Sequence, residues 1–271
     1  RQVDFVVATG GTPMVRAAYS SGTPTIGVGT GNVVTVVDGS TDLDNVADLI
    51  LASKTFDNAT SCSTENNIIV FESCYDKFVE AMAKKGAYTI KEDSEDKDKI
   101  IKTLWPNTPA DHVLNRHIVA RPAAEIAELA GVKVPEGTRM IMVEENRGFG
   151  NEFPLTGEKL SPIAEIRRAK DFEDALQQME AILNYQGLGH SCGIHTTDME
   201  KPHIMGQRIK VCKVVVNQAQ SLVNSGAWTC GYPMSMTLGC GTWGHNSISH
   251  NATYKDLLNY CYVSTPIPST Q

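Results

Sequence analysis

The chain has 271 residues, 41% of them hydrophobic and 20% charged, which is an ordinary composition for a globular protein of one large domain or two smaller ones. Its formal net charge of −7 argues against nonspecific binding to nucleic acid or to an anionic membrane. No stretch approaches the roughly 18 consecutive apolar residues of a transmembrane helix. We expect no signal peptide, because the chain opens on a strand-like run.

Strand and helix signals alternate from the start of the chain. Residues 3–8 form a short apolar run that predicts a strand, and residues 9–11 follow it as a turn into a helix with a proline in its first turn. Two further strands are predicted at 25–28 and 32–37, and apolar residues at helical spacing follow them. A strand, a glycine turn, a helix and a strand in this order are typical of a parallel sheet.

The same alternation continues through the rest of the chain. The pattern predicts strands at 67–71 and 139–143, and helices at 75–85, 92–102, 122–130 and 172–183. The sequence contains no internal repeat and no low-complexity segment. The chain is therefore predicted to be α/β throughout.

The cysteines are odd in number, scattered and without a C-x-x-C pair, which suits free thiols in a reducing, cytoplasmic compartment. The seven are Cys62, Cys74, Cys192, Cys212, Cys230, Cys240 and Cys261. Cys240, His245 and His250 are spaced loosely like metal ligands. No second cysteine pair accompanies them, and we predict no metal site.

Cys62 stands in the stretch TFDNATSCSTENNIIV, between small polar residues and a short apolar strand. A lone cysteine is more often a buried structural residue, but polar neighbours such as Asn58 and Thr60 would make a poor apolar cage. The following Ser63-Thr64-Glu65 is predicted to start a helix. Its backbone N–H groups would lower the pKa of the thiol and hold an oxyanion. Cys62 is therefore the candidate nucleophile.

Several ordered motifs resemble those of the CoA-acylating aldehyde dehydrogenases, a branch of the aldehyde dehydrogenase superfamily. They are ATGGTPMVRAAYSSGTPTIGVGTGN near the start, FDNATSC, EKLSPI, GLGHSCGIH, VVVNQAQ and LGCGTWGHNSISHN. The resemblance implies the end of a Rossmann-type dinucleotide-binding domain at residues 1–55, an α/β catalytic domain at 56–242, and a closing and oligomerisation segment at 243–271. Family members also carry earlier nucleotide-domain sequence, so the chain resembles a fragment of such an enzyme.

The resemblance implies a reaction as well as a fold. Cys62 would attack an aldehyde, hydride would pass to NAD or NADP, and the thiol of coenzyme A would cleave the resulting thioester. His190, which lies between glycines in GLGHSCG, would act in the CoA or proton-transfer step, or it would be purely structural.

Cofactor contacts are implied at two other places. Glu158 in GEKLSPI would contact the nicotinamide ribose, and the alternative is a plain surface carboxylate. Thr9, Gly10 and Gly11 stand where a strand meets a helix, and the free N–H groups there would hold a cofactor phosphate. An ordinary glycine-rich turn is the alternative for these three residues.

The final acceptor can be judged from an absence in the sequence. No Asp or Glu occurs between Asp4 and Asp38, where hydrolytic relatives keep the glutamate that activates water. Without a base for water, a thioester survives until another thiol arrives, which favours coenzyme A as the acceptor. A hydrolytic aldehyde dehydrogenase and a catalytically inactive binding or assembly fragment stay as alternatives.

The substrate is predicted from finer similarity. TSCSTEN and CKVVVNQAQ are most similar to acylating sulfoacetaldehyde dehydrogenases, and acylating succinate-semialdehyde dehydrogenases come next. Both substrates are small anionic aldehydes, for which arginine or lysine is a suitable partner, and Arg208, Lys210 and Lys213 precede VVVNQ. The resemblance also implies a homodimer or homotetramer, and we predict a buried strand near residues 257–263 that serves assembly.

Overall fold

A computed structural model of the chain describes residues 3–268, in which helices and strands alternate. In chain order they are β1 (Val6–Thr9), α1 (Thr12–Ser20), β2 (Thr25–Val28), β3 (Val33–Val37), α2 (Leu43–Thr55), β4 (Glu65–Phe71), α3 (Tyr75–Lys84), β5 (Ala87–Ile90), α4 (Glu95–Leu104), α5 (Ala123–Ala130), β6 (Met140–Glu144), β7 (Ile163–Ala169), α6 (Phe172–Tyr185), β8 (Gly189–His195), α7 (Glu200–Arg208), β9 (Val211–Val216) and α8 (Gln220–Asn224). None of the helices in this described range is long and apolar enough to cross a membrane.

The strands form two parallel sheets. β1 pairs with β2, and the other seven strands pair in the order β5-β6-β7-β4-β3-β8-β9. At the centre of the larger sheet, Val34 of β3 lies beside Asn67 of β4 and Cys192 of β8. The paired strands all run parallel, which confirms the predicted α/β class.

Helices cover both faces of the seven-stranded sheet. Ile50 of α2 and Phe78 of α3 pack in one apolar cluster with Val37 and Val70. Met179 and Ile182 of α6 lie in a second cluster with Val34 and Ile69, and α4 and α5 supply a third against β6. Strands buried on both faces read as continuous hydrophobic runs, which is why the VVTVV of β3 is apolar except for one threonine.

The predicted domain boundary at residue 55 does not coincide with the change of sheet. β3 pairs with β4 and β8 and so belongs to the larger sheet, although it lies before residue 55. The change falls between Val28 and Val33, in the glycine turn GTGN. Because β2 ends where this turn starts and β3 begins where it stops, the carboxyl end of the small sheet abuts the amino end of the large one.

The predicted helix start at residues 63–65 is wrong. Cys62 lies in a turn that leads into β4, and Glu65 is the fully buried first residue of that strand. The carboxylate of Glu65 accepts hydrogen bonds from the backbone N–H of Gln220, at 3.3 Å, and from the hydroxyl of Ser53. These partners lie far away in sequence and stabilise the extended conformation, whereas a local capping pattern contains no information about them.

The predicted strand at residues 257–263 does not form in the single chain. A 3₁₀ turn spans Tyr254–Leu257, and residues 258–268 continue without regular structure. Leu258, Tyr260 and Tyr262 are 49%, 60% and 89% exposed. The expectation of burial on both faces is therefore wrong for one chain, and this segment presents a row of apolar and aromatic side chains to its surroundings.

Candidate active site

The loop that carries Cys62 has an unusual backbone. Asp57, Asn58 and Ala59 have φ angles of 48°, 46° and 61°, in the left-handed region that costs a non-glycine residue roughly 1–2 kcal/mol. Asp and Asn tolerate this region better than most residues. The hydroxyl of Thr60 closes the loop by donating to the carbonyl of Asp57 at 2.8 Å. The loop thereby fixes half-buried Cys62 at the amino end of β4.

His190 lies directly against the thiol. Its Nε2 is 3.1 Å from Sγ of Cys62, and its Nδ1 is 2.8 Å from Oγ of Ser191. When Nδ1–H donates to the serine hydroxyl, the lone pair of Nε2 faces the thiol and can accept its proton. The predicted site residues Cys62 and His190 are thus brought together, and Ser191 is an orienting partner that the sequence did not single out.

Burial keeps the thiol and the imidazole uncharged. It raises the pKa of Cys62 to about 12, with a further increase from the carboxylate of Glu158, and the charge of Lys213 only partly offsets these effects. Burial also lowers the pKa of His190 to about 3, helped by the same lysine. A backbone hydrogen bond in the loop does lower the pKa of the thiol, as expected, but burial outweighs it. The resting state is a neutral thiol beside a neutral base.

The glycine turn before β3 fits tightly against Cys62. A Cβ atom on Gly31 would come within 2.0 Å of the carbonyl oxygen of Cys62, so no side chain fits there. The backbone N–H of Gly31 donates to the carboxylate of Glu158. The backbone of Gly31 therefore lies between Cys62, the candidate nucleophile, and Glu158, the candidate cofactor contact.

Asn32 ties this turn to the neighbouring segments, and sequence reasoning missed it. Its fully buried amide donates to the carbonyls of Thr156 and Gln186, at 2.8 and 3.1 Å, and its Oδ1 accepts from Asn67 of β4 at 2.9 Å. A polar residue directly before a buried strand is the sequence signal that could have identified it.

Glu158 is not a surface carboxylate. Its Oε1 is buried without a hydrogen-bond partner, and burial raises its pKa to about 8 against the effects of Gly31, Lys54 and Lys159. A buried oxygen with no partner needs a donor. A ribose hydroxyl of NAD or NADP would supply one, so this residue fits the predicted cofactor contact.

Thr9, Gly10 and Gly11 do not reach the thiol. They join β1 to α1, with Thr9 and Gly11 exposed, and Oγ1 of Thr9 lies 3.2 Å from Oγ1 of Thr237. Nearby, a cavity of about 590 Å³ lies between α1 and the segments 183–188 and 243–245, and Gly29 and Cys240 also line it. The cavity is thus bordered by α1, by the glycine turn and by the end of α6.

The metal-like spacing near the end of the chain does not form one cluster. Nε2 of His250 pairs with Oδ1 of Asp256 at 2.8 Å, and the buried thiol of Cys240 donates to the carbonyl of Leu238 at 3.4 Å. Within residues 3–268, no three His, Cys, Asp or Glu side chains are placed to hold a metal ion.

The site residues all come from the amino ends of strands in the larger sheet. Cys62 precedes β4, Glu158 precedes β7, and His190 is the second residue of β8. Open α/β sheets ordinarily bind ligands at their carboxyl ends, so this placement is unusual. It defines the class of protein: a parallel α/β fold with a cysteine–histidine pair set where a small parallel sheet runs into a larger one.

Comparison with known proteins agrees with this class. Residues 1–256 match the sequence model of the aldehyde dehydrogenase family, and the chain belongs to that family. The sulfoacetaldehyde dehydrogenase (acylating) of Bilophila wadsworthia is 41% identical over 97% of this chain and 56% of its own length.

Two solved structures share the fold. The acetylating aldehyde dehydrogenase of Geobacillus thermoglucosidasius matches with a TM-score of 0.90 and 35% identity, covering 99% of this chain and 58% of that one. The propionaldehyde dehydrogenase of Rhodopseudomonas palustris, solved with bound CoA and an acylated cysteine, matches with a TM-score of 0.75 and 27% identity, over 90% of this chain and 53% of that one. The chain spans about half the length of the curated relatives it matches.

Proposed function

We propose that the complete protein carrying this chain oxidises a small anionic aldehyde, with sulfoacetaldehyde favoured, to its acyl-CoA thioester with NAD or NADP. The observation that carries the proposal is the contact of 3.1 Å between Sγ of Cys62 and Nε2 of His190. The glycine turn of residues 29–32, which lies against Cys62, contains no Asp or Glu to activate water. An acylated cysteine with bound CoA in one relative supports the same chemistry.

The residues of this chain account for the acyl-transfer steps. Sγ of Cys62 attacks the aldehyde carbon while Nε2 of His190 takes the thiol proton, which forms a thiohemiacetal without ever populating a free thiolate. NAD or NADP, when bound, accepts the hydride that leaves this carbon. The proton that Nε2 took is released to solvent as the thioester forms. The thiol of coenzyme A then attacks the cysteine thioester and gives its proton to Nε2 of His190, which passes it to the departing Sγ of Cys62 as acyl-CoA leaves.

Cofactor binding is assigned to two places in the same proposal. The unpartnered Oε1 of Glu158 would accept a hydrogen bond from the nicotinamide ribose. Thr9, Gly10 and Gly11 lead into the N-terminus of α1, which is nine residues long. The N–H of Gly10 donates to the carbonyl of Val28 at 3.0 Å, so a phosphate would be held by the N–H groups that follow it. NADP and NAD are equally compatible with these groups.

The second candidate is an acylating succinate-semialdehyde dehydrogenase, because its substrate is also a short aldehyde with one anionic group. The test is an assay of the complete protein with NAD or NADP and CoA, given sulfoacetaldehyde, succinic semialdehyde and neutral aldehydes. Mass spectrometry of the acyl-CoA product identifies the substrate. If no aldehyde yields an acyl-CoA, the alternative of a catalytically inactive binding or assembly fragment would be favoured instead.

His190→Gln should lower kcat/KM by about 10²–10⁴, the usual contribution of a general base. Because burial lowers the pKa of His190 to about 3, the imidazole stays neutral from pH 5 to 9. The wild-type rate should therefore show no loss as pH falls through 6.5, where an ordinary histidine becomes protonated. His203→Gln, on the exposed face of α7, is the matched control. A His190→Gln rate within threefold of wild type would contradict the role.

The exposed closing segment is proposed to be covered by a second copy of the chain in a homodimer or homotetramer. Leu257, Leu258 and Tyr260 are 49–60% exposed, and apolar rows of this kind mark protein interfaces. Replacing the three with serine should lower the mass measured by light scattering to that of a smaller assembly. An unchanged mass would contradict this placement of the interface.

The free thiols also suit the proposed cytoplasmic location.

A further inference from the structure

One buried cation beside the thiol has no partner. The buried lysines are Lys54, Lys97, Lys159 and Lys213. Three of them are paired: Lys54 with the hydroxyl of Thr64, Lys97 with Glu145, and Lys159 with two backbone carbonyls. Lys213 is only 6% exposed, and its side-chain ammonium forms no hydrogen bond or ion pair with any residue in the range 3–268.

The sheet places Lys213 next to the reacting groups. It is the third residue of β9 and lies directly beside Ser191 of β8. Ser191 holds His190, which in turn contacts Cys62. The charge of Lys213 acts on both: it lowers the pKa of the Cys62 thiol and of the His190 imidazole.

The other two cations near this strand are accounted for. Arg208 forms ion pairs with Glu173 and Glu180 of α6, at 2.7 and 2.9 Å. Lys210 is exposed. Of the three basic residues that precede VVVNQ, only Lys213 combines burial with the vicinity of the thiol.

An unpaired buried ammonium is unfavourable unless an anion joins it. No carboxylate of the described chain lies within ion-pair distance of Lys213, while the surrounding thiols are Cys62, Cys212 and Cys240, all neutral at pH 7. Burial lowers the pKa of Lys213, so its ammonium form is held only weakly without a counter-charge. An anionic ligand would supply the counter-charge, and the aldehyde is the ligand proposed for this site.

We propose that Lys213 is the specificity residue that binds the anionic end of the aldehyde, a sulfonate or a carboxylate, while its carbonyl carbon faces Cys62. The proposal rests on the acylating activity proposed above and deepens it. A compact ammonium on a flexible stem accepts either anion, so the relative rates with the two aldehydes distinguish sulfonate from carboxylate recognition.

The test compares Lys213→Met, Lys213→Arg and wild type in the complete enzyme, each with sulfoacetaldehyde, succinic semialdehyde and propanal. Lys213→Met should lower kcat/KM for the better anionic aldehyde about 10- to 100-fold, mainly through KM, because a charge-assisted contact is lost. The rate with propanal should fall several-fold less than the rate with the anionic aldehyde, because propanal loses only the effect of Lys213 on Cys62 and His190. Lys213→Arg keeps the charge and should retain most of the preference. Lys210→Met is the matched control on the same segment.

A binding measurement tests the proposal without turnover. Ethanesulfonate should slow alkylation of Cys62 by iodoacetamide in wild type and in Lys213→Arg, but not in Lys213→Met, whereas 1-propanol at equal concentration should give no protection. Equal losses with propanal and the anionic aldehydes, or equal protection in Lys213→Met, would overturn the proposal.

If wild type forms no acyl-CoA, the proposed function fails, and the protection experiment still decides the role of Lys213. If Lys213→Met does not fold, the wild-type protein alone decides. Equal protection of its Cys62 by ethanesulfonate and by 1-propanol would then overturn the proposal.

Discussion

Cys62→Ala in the complete enzyme is expected to abolish acyl-CoA formation, with less than about 10⁻³ of the wild-type rate remaining, because no other nucleophile in the site can form the acyl intermediate. Cys62→Ser should be nearly as inactive, since a serine hydroxyl beside a neutral imidazole is a far weaker nucleophile than a thiol. Both variants should change the free energy of unfolding by less than about 1 kcal/mol, because the side chain is half-buried in a polar loop.

The measurement is NADH formation together with mass spectrometry of the acyl-CoA product. Cys261→Ala removes an exposed thiol and is the matched control, which should keep full activity. A Cys62→Ala variant with more than a few per cent of the wild-type rate would contradict the assignment.

Alkylation of the same thiol gives a second view of its protonation state. Because burial raises the pKa of Cys62 to about 12, its thiolate fraction at pH 8 is about 10⁻⁴ and grows about tenfold with each pH unit. Exposed Cys261 should therefore react with iodoacetamide before Cys62 does. Fast, pH-independent alkylation of Cys62 near neutrality would show instead that the thiolate is already formed.

Omitting CoA should reduce the reaction to a burst of about one NADH per active site, followed by very slow turnover. The glycine turn that lies against Cys62 carries no Asp or Glu. In the proposed function Glu158 is engaged by the cofactor and His190 serves the exchange of thiols, so no group is dedicated to activating water. Adding CoA should restore steady turnover. Steady NADH formation without CoA, at a rate comparable to the CoA-dependent one, would show that the enzyme is hydrolytic.

The structure also shows where a base could be installed. A Cβ atom on Gly27 would clash with Tyr19 and one on Gly31 with the backbone of Cys62, whereas nothing lies within 4 Å of a Cβ on Gly29. None of these three glycines has a positive φ that would forbid a side chain. Gly29→Glu should therefore fold and raise CoA-independent turnover above the wild-type level, and Gly29→Gln is the control that adds the same bulk without a base.

Local patterns were sufficient for the alternation of strands and helices, since these parallel strands are continuous apolar runs and the helices carry regular apolar stripes. Three strands of the large sheet were missed. β5 (AYTI) is short and β8 (GHSCGIH) is rich in polar and glycine residues. β7 (IAEIRRA) contains charged residues, of which Arg167 is buried through its ion pair with Glu165. The turn before β4 was read as a helix start because a capping pattern is local, whereas the partners of Glu65 are not.

The site shows the same division. Cys62 could be selected from its polar surroundings, whereas the roles of His190 and Glu158 came from the family resemblance; the structure brings the three together. The neutral state of the thiol depends on burial by distant segments, which no short stretch reveals. The importance of Asn32 and of Lys213 likewise depends on which strands become neighbours.

The placement of the reacting groups at the amino ends of the strands leaves the opposite edge of the large sheet free for other uses. There, Asp38 after β3 holds Lys201 at 2.5 Å and Thr196 at 2.5 Å, a cluster that fastens loops rather than serving chemistry. Length variation in the loop at 196–199, directly after β8, is thus separated from the thiol by the length of that strand. Affinity tags, fluorescent reporters or surface-attachment peptides inserted at that edge would sit on the far side of the molecule from the bond-making atoms.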